Sequence, residues 1–520
     1  MINQERHALT VLTRLAGRRP EETWKLEKAL SGRAERLAPD ILAVAKETGD
    51  PIGKVFNEVL ERSPRPDLAA SLLDDIPKDT IALRELAVTV ATQSLQKFES
   101  DKDLSEADRL LKITPVMLDL SVRSSRIGNL QEAHDITQGV IDNLVSTVEL
   151  PKTNRDRLLG RAYGELSTCL YDLGKRDASL TNAQKSVEIR RMLLSEGDHQ
   201  SRHELALSLT LEAASRLGVG DRTGARDVAT EAVAIYEELV IVDASGYRQY
   251  LAGALSKLAN FEIELGQSER GIETAKRAIS IYRDLADRDA DSFSFYVAAN
   301  ANNVANNLSL EKRFEEALTF AEEAEQAFGK LASVRPTAFG PYHSIALNTL
   351  SNRLSDVKRV DEALNAARRS VEVIRTLCKS YPGSFDVELG RSLHSFAYRL
   401  FLLELWAESI ATIDEAIRLR RRLTKQNEKA ARTSLAVSLA MKGWTLSKSG
   451  EKLGGCDTLS EALRQLIQAS KTHGRALHRE AKEIGGRYIE AHNDAKLCID
   501  QNALEQLRSL TQIDEFGPIT

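Results

Sequence analysis

The chain has 520 residues, a formal net charge of −5, 42% hydrophobic residues, only 5% aromatic residues and 12 prolines. So few prolines are typical of a chain that is almost wholly helical. The 71 basic residues nearly balance the 76 acidic ones, which argues against binding of nucleic acid through overall charge. No apolar run reaches the length of a membrane span, and the N-terminus lacks the apolar core of a secretory signal. We therefore expect a cytoplasmic protein without membrane contact.

The first 104 residues carry helical patterns at 21–49 and 80–98, and prolines interrupt them. Since helices usually end before a proline, these patterns predict an irregular helical N-terminal cap or docking region. The stretch GDPIGKV at 49–55 is close to a phosphate-binding loop, but only three residues separate its glycines and a valine replaces the metal-binding hydroxyl. We expect no nucleotide there.

Beyond the N-terminal region, small residues recur at a fixed step of 46 residues. The reference column comprises Ala133, Ser179, Ala225, Gly271, Ala317, Ala363, Ser409 and Gly455. A second column, twelve residues earlier, comprises Ser121, Ser167, Ala213, Ala259, Ala305, Ser351, Ala397 and Gly443. A third, seven residues after the reference column, is equally small except for Val140. Columns that share one register without an insertion indicate an internal repeat.

Apolar periodicity predicts two helices in each repeat. Five residues before the reference column, a glycine recurs where the two helices meet, at Gly128, Gly174, Gly220, Gly266 and Gly450. A tight turn there needs a residue that tolerates positive φ. Lys312, Lys358 and Glu404 replace the glycine in three repeats, where the turn is predicted less clearly. Two antiparallel helices approach closely only where small side chains meet, which explains the small columns.

This arrangement resembles the tetratricopeptide repeat family, which places a small residue late in the first helix, a glycine in the turn and two small residues in the second helix. Ala259, Gly266, Gly271 and Ala278 fill these positions in one repeat. The family's usual period is about 34 residues, so the extra residues lengthen both helices and the link. The resemblance implies an all-α, right-handed α-solenoid of about eight helix-turn-helix repeats over residues 105–477, followed by a capping helix and tail at 478–520. The long period is also similar to the C-terminal repeat arrays of bacterial STAND-type signalling ATPases.

Motifs for chemistry are sparse. Cys169, Cys378, Cys456 and Cys498 lie far apart, so neither a disulfide framework nor a zinc site is predicted. His199 and His203 are four residues apart, as two metal ligands on a helix would be, but no third ligand is near, and solvated histidines between repeats are the alternative. No catalytic motif for a nucleophile or a metalloprotease occurs. We expect a non-catalytic protein without a cofactor or a metal.

In the resembled family, side chains four residues apart in the first helix point into the groove of the superhelix. Carried onto this chain, these positions hold Ser256 and Asn260, Asn302 and Asn306, Asn348 and Asn352, His394 and Tyr398, Ala440 and Trp444, with Asn303 beside the second pair. Asparagine is a poor helix former, so its recurrence calls for a physical reason. A ladder of amides can bond the backbone of an extended peptide. Alternatively, the amides bond each other or neighbouring carbonyls and brace adjacent first helices.

A basic segment lies at the end of one second helix. Its candidate residues for an acidic partner or a phosphate are Arg418, Arg420, Arg421, Arg422 and Lys425. Favourable interaction with the C-terminal end of the helix dipole is the alternative explanation for this charge.

Two functional hypotheses follow from this sequence. The first is a protein–protein interaction scaffold that binds a peptide or a partner protein in the groove of the repeats. The second is a sensor or regulatory subunit whose first 104 residues dock on a separately encoded effector or STAND-type ATPase, in bacterial defence or signalling. The partner, the pathway and the oligomeric state are not predicted.

Overall fold

A computed structural model describes residues 2–18, 22–30, 32–48, 50–76, 83–147, 150–426, 428–473, 477–513 and 516. Within these residues the chain forms 24 α-helices and no strand, so the predicted all-α fold is confirmed. The helices divide into two compact units, Met1–Phe293 and Ser294–Thr520, which we call the N-terminal unit and the C-terminal unit.

The first six helices enclose a hydrophobic core of their own, in which Leu26, Ile41 and Phe56 are fully buried. These helices are α1 (Ile2–Arg18), α2 (Thr23–Leu30), α3 (Ala34–Thr48), α4 (Asp50–Arg62), α5 (Pro66–Leu72) and α6 (Arg84–Ser100). Residues 50–55 of the glycine-containing stretch belong to α4, whereas Gly49 lies outside the described residues. A helix at 50–55 does not provide the loop of backbone N–H groups that cradles a phosphate.

The regular helical pairs begin with α7. In the N-terminal unit they are α7 (Glu106–Arg126), α8 (Leu130–Ser146), α9 (Lys152–Asp172), α10 (Arg176–Ser195), α11 (Ser201–Gly218), α12 (Arg222–Val242), α13 (Ala244–Glu264) and α14 (Ser268–Ala286). The boundary between the units falls within α15 (Ala290–Leu310). The C-terminal unit continues with α16 (Phe314–Val334), α17 (Pro336–Asp356), α18 (Val360–Ser380), α19 (Asp386–Leu402), α20 (Trp406–Gln426), α21 (Glu428–Lys448), α22 (Lys452–His473), α23 (His478–Asp494) and α24 (Gln501–Thr511). The eight predicted pairs run from α7 to α22, and residues 517–520 of the tail lie outside the described residues.

The small columns lie where the two helices of a pair cross, and every member is buried. Serines in these columns donate to a backbone carbonyl of the facing helix: Ser121 to Ala133, Ser179 to Ser167, Ser351 to Ala363 and Ser409 to Ala397, at 2.8, 2.9, 2.7 and 2.9 Å. A Cβ atom added to Gly271 would lie 2.8 Å from the carbonyl oxygen of Ala259. A larger side chain would therefore force the two helices apart.

The turn between the two helices has the same backbone geometry in all eight pairs, including the three that lack glycine. Lys312, Lys358 and Glu404 have φ values of 60°, 66° and 59°, in the left-handed region. Lys358 N donates to Ser355 O at 3.1 Å, as Gly266 N donates to Ile263 O at 2.9 Å. The turn that the sequence predicted less clearly is therefore present. The backbone of these three residues adopts a conformation that glycine favours.

Ion pairs link four of the second helices to the next one at another fixed spacing. In these repeats, the residue twelve positions after the reference column is charged and forms an ion pair with a residue of opposite charge 40 positions later. The pairs are Arg191 with Glu231, Glu237 with Arg277, Arg375 with Glu415 and Arg421 with Glu461, at 2.7, 2.7, 2.6 and 2.8 Å. The sign is reversed in the second of these pairs. Exposed pairs contribute at most about 1 kcal/mol each, so they favour the register of neighbouring repeats more than overall stability.

We expect Lys358→Gly to raise the free energy of unfolding by about 1 kcal/mol, because glycine adopts positive φ without the steric cost that a Cβ atom brings. Thermal and urea denaturation followed by circular dichroism measure this change. Gly266→Ala, the opposite change at the equivalent turn, is the matched control and should lower stability. A loss of stability in Lys358→Gly would mean that the lysine side chain contributes more than its backbone strain removes.

Candidate binding face of the first helices

The predicted groove residues occupy different environments. Asn302, Asn348, Ala440 and Trp444 are buried, Asn306, Asn352, His394 and Tyr398 are half-buried, and Asn303 is exposed, all in the C-terminal unit. In the N-terminal unit, Asn260 is exposed and Ser256 donates to Ala252 O at 2.9 Å within its own helix. We call Asn302 and Asn348 the leading amides, and Asn306 and Asn352, four residues later, the trailing amides.

The trailing amides accept hydrogen bonds from arginines of the following repeat. Arg353 Nη1 donates to the side-chain oxygen of Asn306 at 3.4 Å and to Ala305 O at 3.2 Å. Arg399 Nη2 donates to the side-chain oxygen of Asn352. These contacts connect successive first helices, from α17 to α15 and from α19 to α17. Their geometry matches the alternative in which asparagines brace neighbouring helices.

Arg353 and Arg399 were not among the candidates from the sequence, although they stand 46 residues apart. Burial lowers the pKa of both guanidinium groups, so each depends on acceptors inside the fold. Arg353 Nε also lies 3.0 Å from Asp356 Oδ2, which accepts a 2.8 Å hydrogen bond from Ser309 of α15. The sequence pattern that could have identified them is an arginine that recurs ten residues before the reference column. It was missed because only some repeats carry it.

The leading amides have unmet hydrogen-bonding groups. Each residue is only 9% exposed. The side-chain oxygen of Asn302, and both the oxygen and the nitrogen of Asn348, are buried without a hydrogen-bond partner among the described residues. Each such group costs about 1–3 kcal/mol relative to its hydrated state. Because the terminal torsion of asparagine is soft, these amides can reorient toward a partner at a small cost.

His394 follows the leading amides at the same position of α19. Its Nδ1 lies 3.5 Å from the hydroxyl of Ser438, on α21. Burial, reinforced by the positive charges of Arg420 and Arg487, lowers the pKa of His394 to about 3. The imidazole is therefore neutral at physiological pH and offers one donor and one acceptor, as an amide does.

Tyr398 and Trp444, the two aromatic candidates, already make contacts within the C-terminal unit. Tyr398 stacks on Phe401 with ring centroids 6.3 Å apart. Trp444 is 7% exposed, and Lys448 Nζ lies 4.2 Å from its ring centroid. This burial favours a packing role for Trp444, which a sequence pattern cannot distinguish from a surface anchor.

The basic segment does not form one open patch. Arg420 is only 8% exposed and donates to Ser438 Oγ, and at 2.6 Å to Ser434 O, so its prediction as a surface residue was wrong. Arg421 pairs with Glu461 of the next repeat at 2.8 Å, and Arg422 pairs with Asp386 of its own repeat at 2.5 Å. Arg418 and Lys425 remain exposed. Three of the five basic side chains thus form hydrogen bonds or ion pairs with residues of the chain itself.

His199 and His203, which have the spacing of two metal ligands, lie in different environments. His199 is exposed, whereas His203 is half-buried with its ring centroid 4.5 Å from that of Tyr250 and 5.8 Å from that of Tyr236. The alternative of two solvated histidines between repeats is therefore wrong for His203. In the described part of the chain, no three His, Cys, Asp or Glu side chains are grouped as a metal ion would require. No helix in that part is long and apolar enough to cross a membrane.

We expect the C-terminal unit to lose stability as the pH falls from about 6.5, because unfolded histidine binds a proton there while folded His394 does not. The limiting contribution is about 1.4 kcal/mol for each pH unit. Urea denaturation at pH 7 and at pH 5.5 measures the change. His394→Asn, which introduces the residue found at the two preceding positions, should reduce this dependence. An unchanged pH dependence in His394→Asn would assign it to other groups.

Residues 345–384, which cover most of α17 and α18, match the family model of the tetratricopeptide repeat. Among curated proteins, none matches the chain. Among solved structures, the apo form of RapI is similar, at 12% identity and a TM-score of 0.50, over 77% of this chain and 96% of that chain. At this identity, the similarity concerns the fold alone.

Two further solved structures are similar at lower TM-scores. Aspartyl phosphate phosphatase F from Bacillus subtilis matches at 13% identity and a TM-score of 0.42, over 81% of this chain and 98% of that chain. A signal transduction ATPase with numerous domains and a tetratricopeptide repeat sensor, from Pyrococcus horikoshii, matches at 12% identity and a TM-score of 0.42, over 91% of this chain and 71% of that chain.

Proposed function

We propose that this chain, which matches the tetratricopeptide repeat model at residues 345–384 and forms successive helical pairs, is a non-catalytic scaffold that binds an extended peptide segment of a partner protein. The proposed binding face lies on the first helices of the C-terminal unit, around the leading amides. Asn260, exposed in the N-terminal unit, stays a candidate from the sequence alone.

The amide of Asn348 carries this proposal, since its oxygen and its nitrogen both lack a hydrogen-bond partner among the described residues. An extended peptide presents N–H and C=O groups alternately, and an asparagine amide can bond one of each. Asn302 offers a second unmet oxygen 46 residues earlier. A ligand that satisfies these groups recovers the desolvation cost that the free protein bears. Such binding recognises the peptide backbone and depends little on the peptide's side chains.

The same contacts divide the asparagines by role. The trailing amides already accept from Arg353 and Arg399, so their oxygens support the fold. The leading amides have no such donor and are the better candidates for contact with a partner. His394 extends them as a neutral polar group that neither attracts nor repels a charged peptide.

The regulatory alternative, in which the first 104 residues dock on a separate effector, stays a prediction from the sequence. The separate hydrophobic core of α1 to α6 is compatible with it. The 56% exposure of Trp24 offers one aromatic contact there. A partner that binds independently of the leading amides would favour this alternative over the scaffold.

Substitution of the two kinds of asparagine should have opposite consequences. We expect Asn348→Ala to raise the free energy of unfolding by about 1 kcal/mol or more, since it removes buried polar groups that lack partners and the equivalent residue in α21 is Ala440. We expect Asn352→Ala to lower it by about 1–3 kcal/mol, because the buried guanidinium of Arg399 loses an acceptor. The gain in helix propensity is common to both changes, so the difference between the two variants isolates the hydrogen bond.

Peptide binding is tested with the same two variants. A phage-displayed library of random dodecapeptides is selected on the wild-type protein, and fluorescence anisotropy measures the affinity of enriched sequences. We expect Asn348→Ala to weaken binding about tenfold or more, and Asn352→Ala to bind normally at a temperature where it is folded. Enriched peptides that bind Asn348→Ala as tightly as the wild type, or a selection that enriches nothing, would contradict the proposed face.

A further inference from the structure

A pocket of about 520 Å³ lies between α7 and α9 in the N-terminal unit. Its volume is within the range of small-molecule sites. Six charged residues line it: Asp119, Arg123 and Arg126 from α7, and Arg161, Glu165 and Asp172 from α9. The three arginines and three carboxylates balance in charge, and Arg161 donates to Asp119 across the pocket.

Arg123 has an unmet hydrogen-bonding requirement in this pocket. It is only 5% exposed, and its Nη2 donates to Ile76 O at 3.3 Å. Its Nε and Nη1 are buried with no hydrogen-bond partner among the described residues. Burial lowers the pKa of the guanidinium, but arginine remains charged at neutral pH. A buried cation with two donors unmet is costly unless an acceptor from outside the chain completes it.

Comparison with the equivalent position of another repeat shows what Arg123 lacks. Arg353 stands five repeats later in the same register. Its Nε lies 3.0 Å from Asp356 but forms no hydrogen bond either, whereas its Nη1 donates to Ala305 O at 3.2 Å. It also donates to Asn306 of the preceding repeat. Three residues ahead of Arg123 the chain carries Arg126, a like charge. Among the described residues, Nη1 of Arg123 thus lacks the acceptors that Nη1 of Arg353 has, and a cation stands where Arg353 has a carboxylate.

We propose that this pocket binds a small zwitterion, namely a free amino acid, with its carboxylate on Arg123 and its ammonium group facing Asp172 and Glu165. Nε and Nη1 of Arg123 lie on opposite edges of the guanidinium, so one of them donates a charge-assisted hydrogen bond to the carboxylate after the side chain turns toward the pocket. Asp172 is exposed, and the hydroxyl of Ser125 reaches it only at 3.5 Å. It therefore has acceptor capacity left for an ammonium group.

The balance of charge distinguishes a zwitterion from a simple anion. A phosphate dianion placed on Arg123 would meet the carboxylates of α9 within a pocket that has no net positive charge. A zwitterion presents opposite charges to the two helices and leaves the pocket neutral. This site lies apart in sequence from the leading amides and does not depend on the proposed peptide binding.

Thermal denaturation and isothermal titration calorimetry of the full chain test this site. The probes are the twenty common amino acids, β-alanine and 4-aminobutyrate, with acetate, methylammonium and inorganic phosphate as probes of a single charge. We expect at least one amino acid to raise the melting temperature and to bind with a stoichiometry near one per chain. Acetate, methylammonium and phosphate should give no comparable shift.

Two variants identify the residues involved. Arg123→Met, which keeps the length of the side chain but removes its donors, should weaken binding of that amino acid about tenfold or more. Asp172→Asn, an exposed substitution that leaves the core intact, should also weaken binding of the amino acid. If Arg123→Met does not fold, the affinity of Asp172→Asn decides whether the amino acid binds in this pocket. Asp177→Asn, an equally exposed substitution on α10 outside the pocket, is the matched control and should bind normally.

Three results would overturn the proposal. The first is the absence of any amino acid that shifts the melting temperature. The second is stabilisation by phosphate or acetate equal to that by the best amino acid, which would define an anion site. The third is unchanged affinity in both Arg123→Met and Asp172→Asn, which would place the bound amino acid elsewhere.

Discussion

Close contact between the two helices of each pair is the constraint on which the remaining structure depends. Where they cross, a serine hydroxyl reaches the carbonyl of the facing helix, 2.7 Å away for Ser351 and Ala363. At Gly271 even a Cβ atom would lie too near the backbone of the other helix. The crossing tolerates only small residues, and the step of 46 residues repeats the same contact eight times. Once this contact is fixed, the turns occupy constant positions in every repeat, and the ion pairs and buried arginines occupy constant positions in the repeats that carry them.

The fold was predictable because the contacts that define it are local and periodic. Small residues at a constant step mark the helix crossing, and the residues that form one crossing lie only twelve positions apart. The turns at Lys312, Lys358 and Glu404 were harder to predict, because packing of the two helices imposes a left-handed conformation that lysine and glutamate do not favour. Tertiary contact outweighs local preference at these three positions.

The candidate site was less predictable, because its contacts join residues one repeat apart. Asn352 accepts from Arg399 across 47 positions, and nothing in either local segment indicates that pairing. Arg420 illustrates the same limit, since in sequence it is one of several adjacent cations, whereas the structure buries it against Ser434 and Ser438. Periodicity identifies which face a residue occupies. The reach of its side chain into the neighbouring repeat then decides whether it is available to a partner.

In a repeat protein the chain contains its own controls, because the same position recurs in several copies. Asn352 is satisfied by an arginine of the next repeat, whereas Asn348, four residues earlier on the same helix, has no corresponding donor. Nη1 of Arg353 donates to Ala305 O and to Asn306, whereas Nη1 of Arg123, at the same position of another repeat, has no acceptor among the described residues. A polar group that is completed in one copy and left incomplete in another is not required by the architecture, since the architecture forms either way. Such departures therefore indicate binding sites more specifically than the recurring pattern itself.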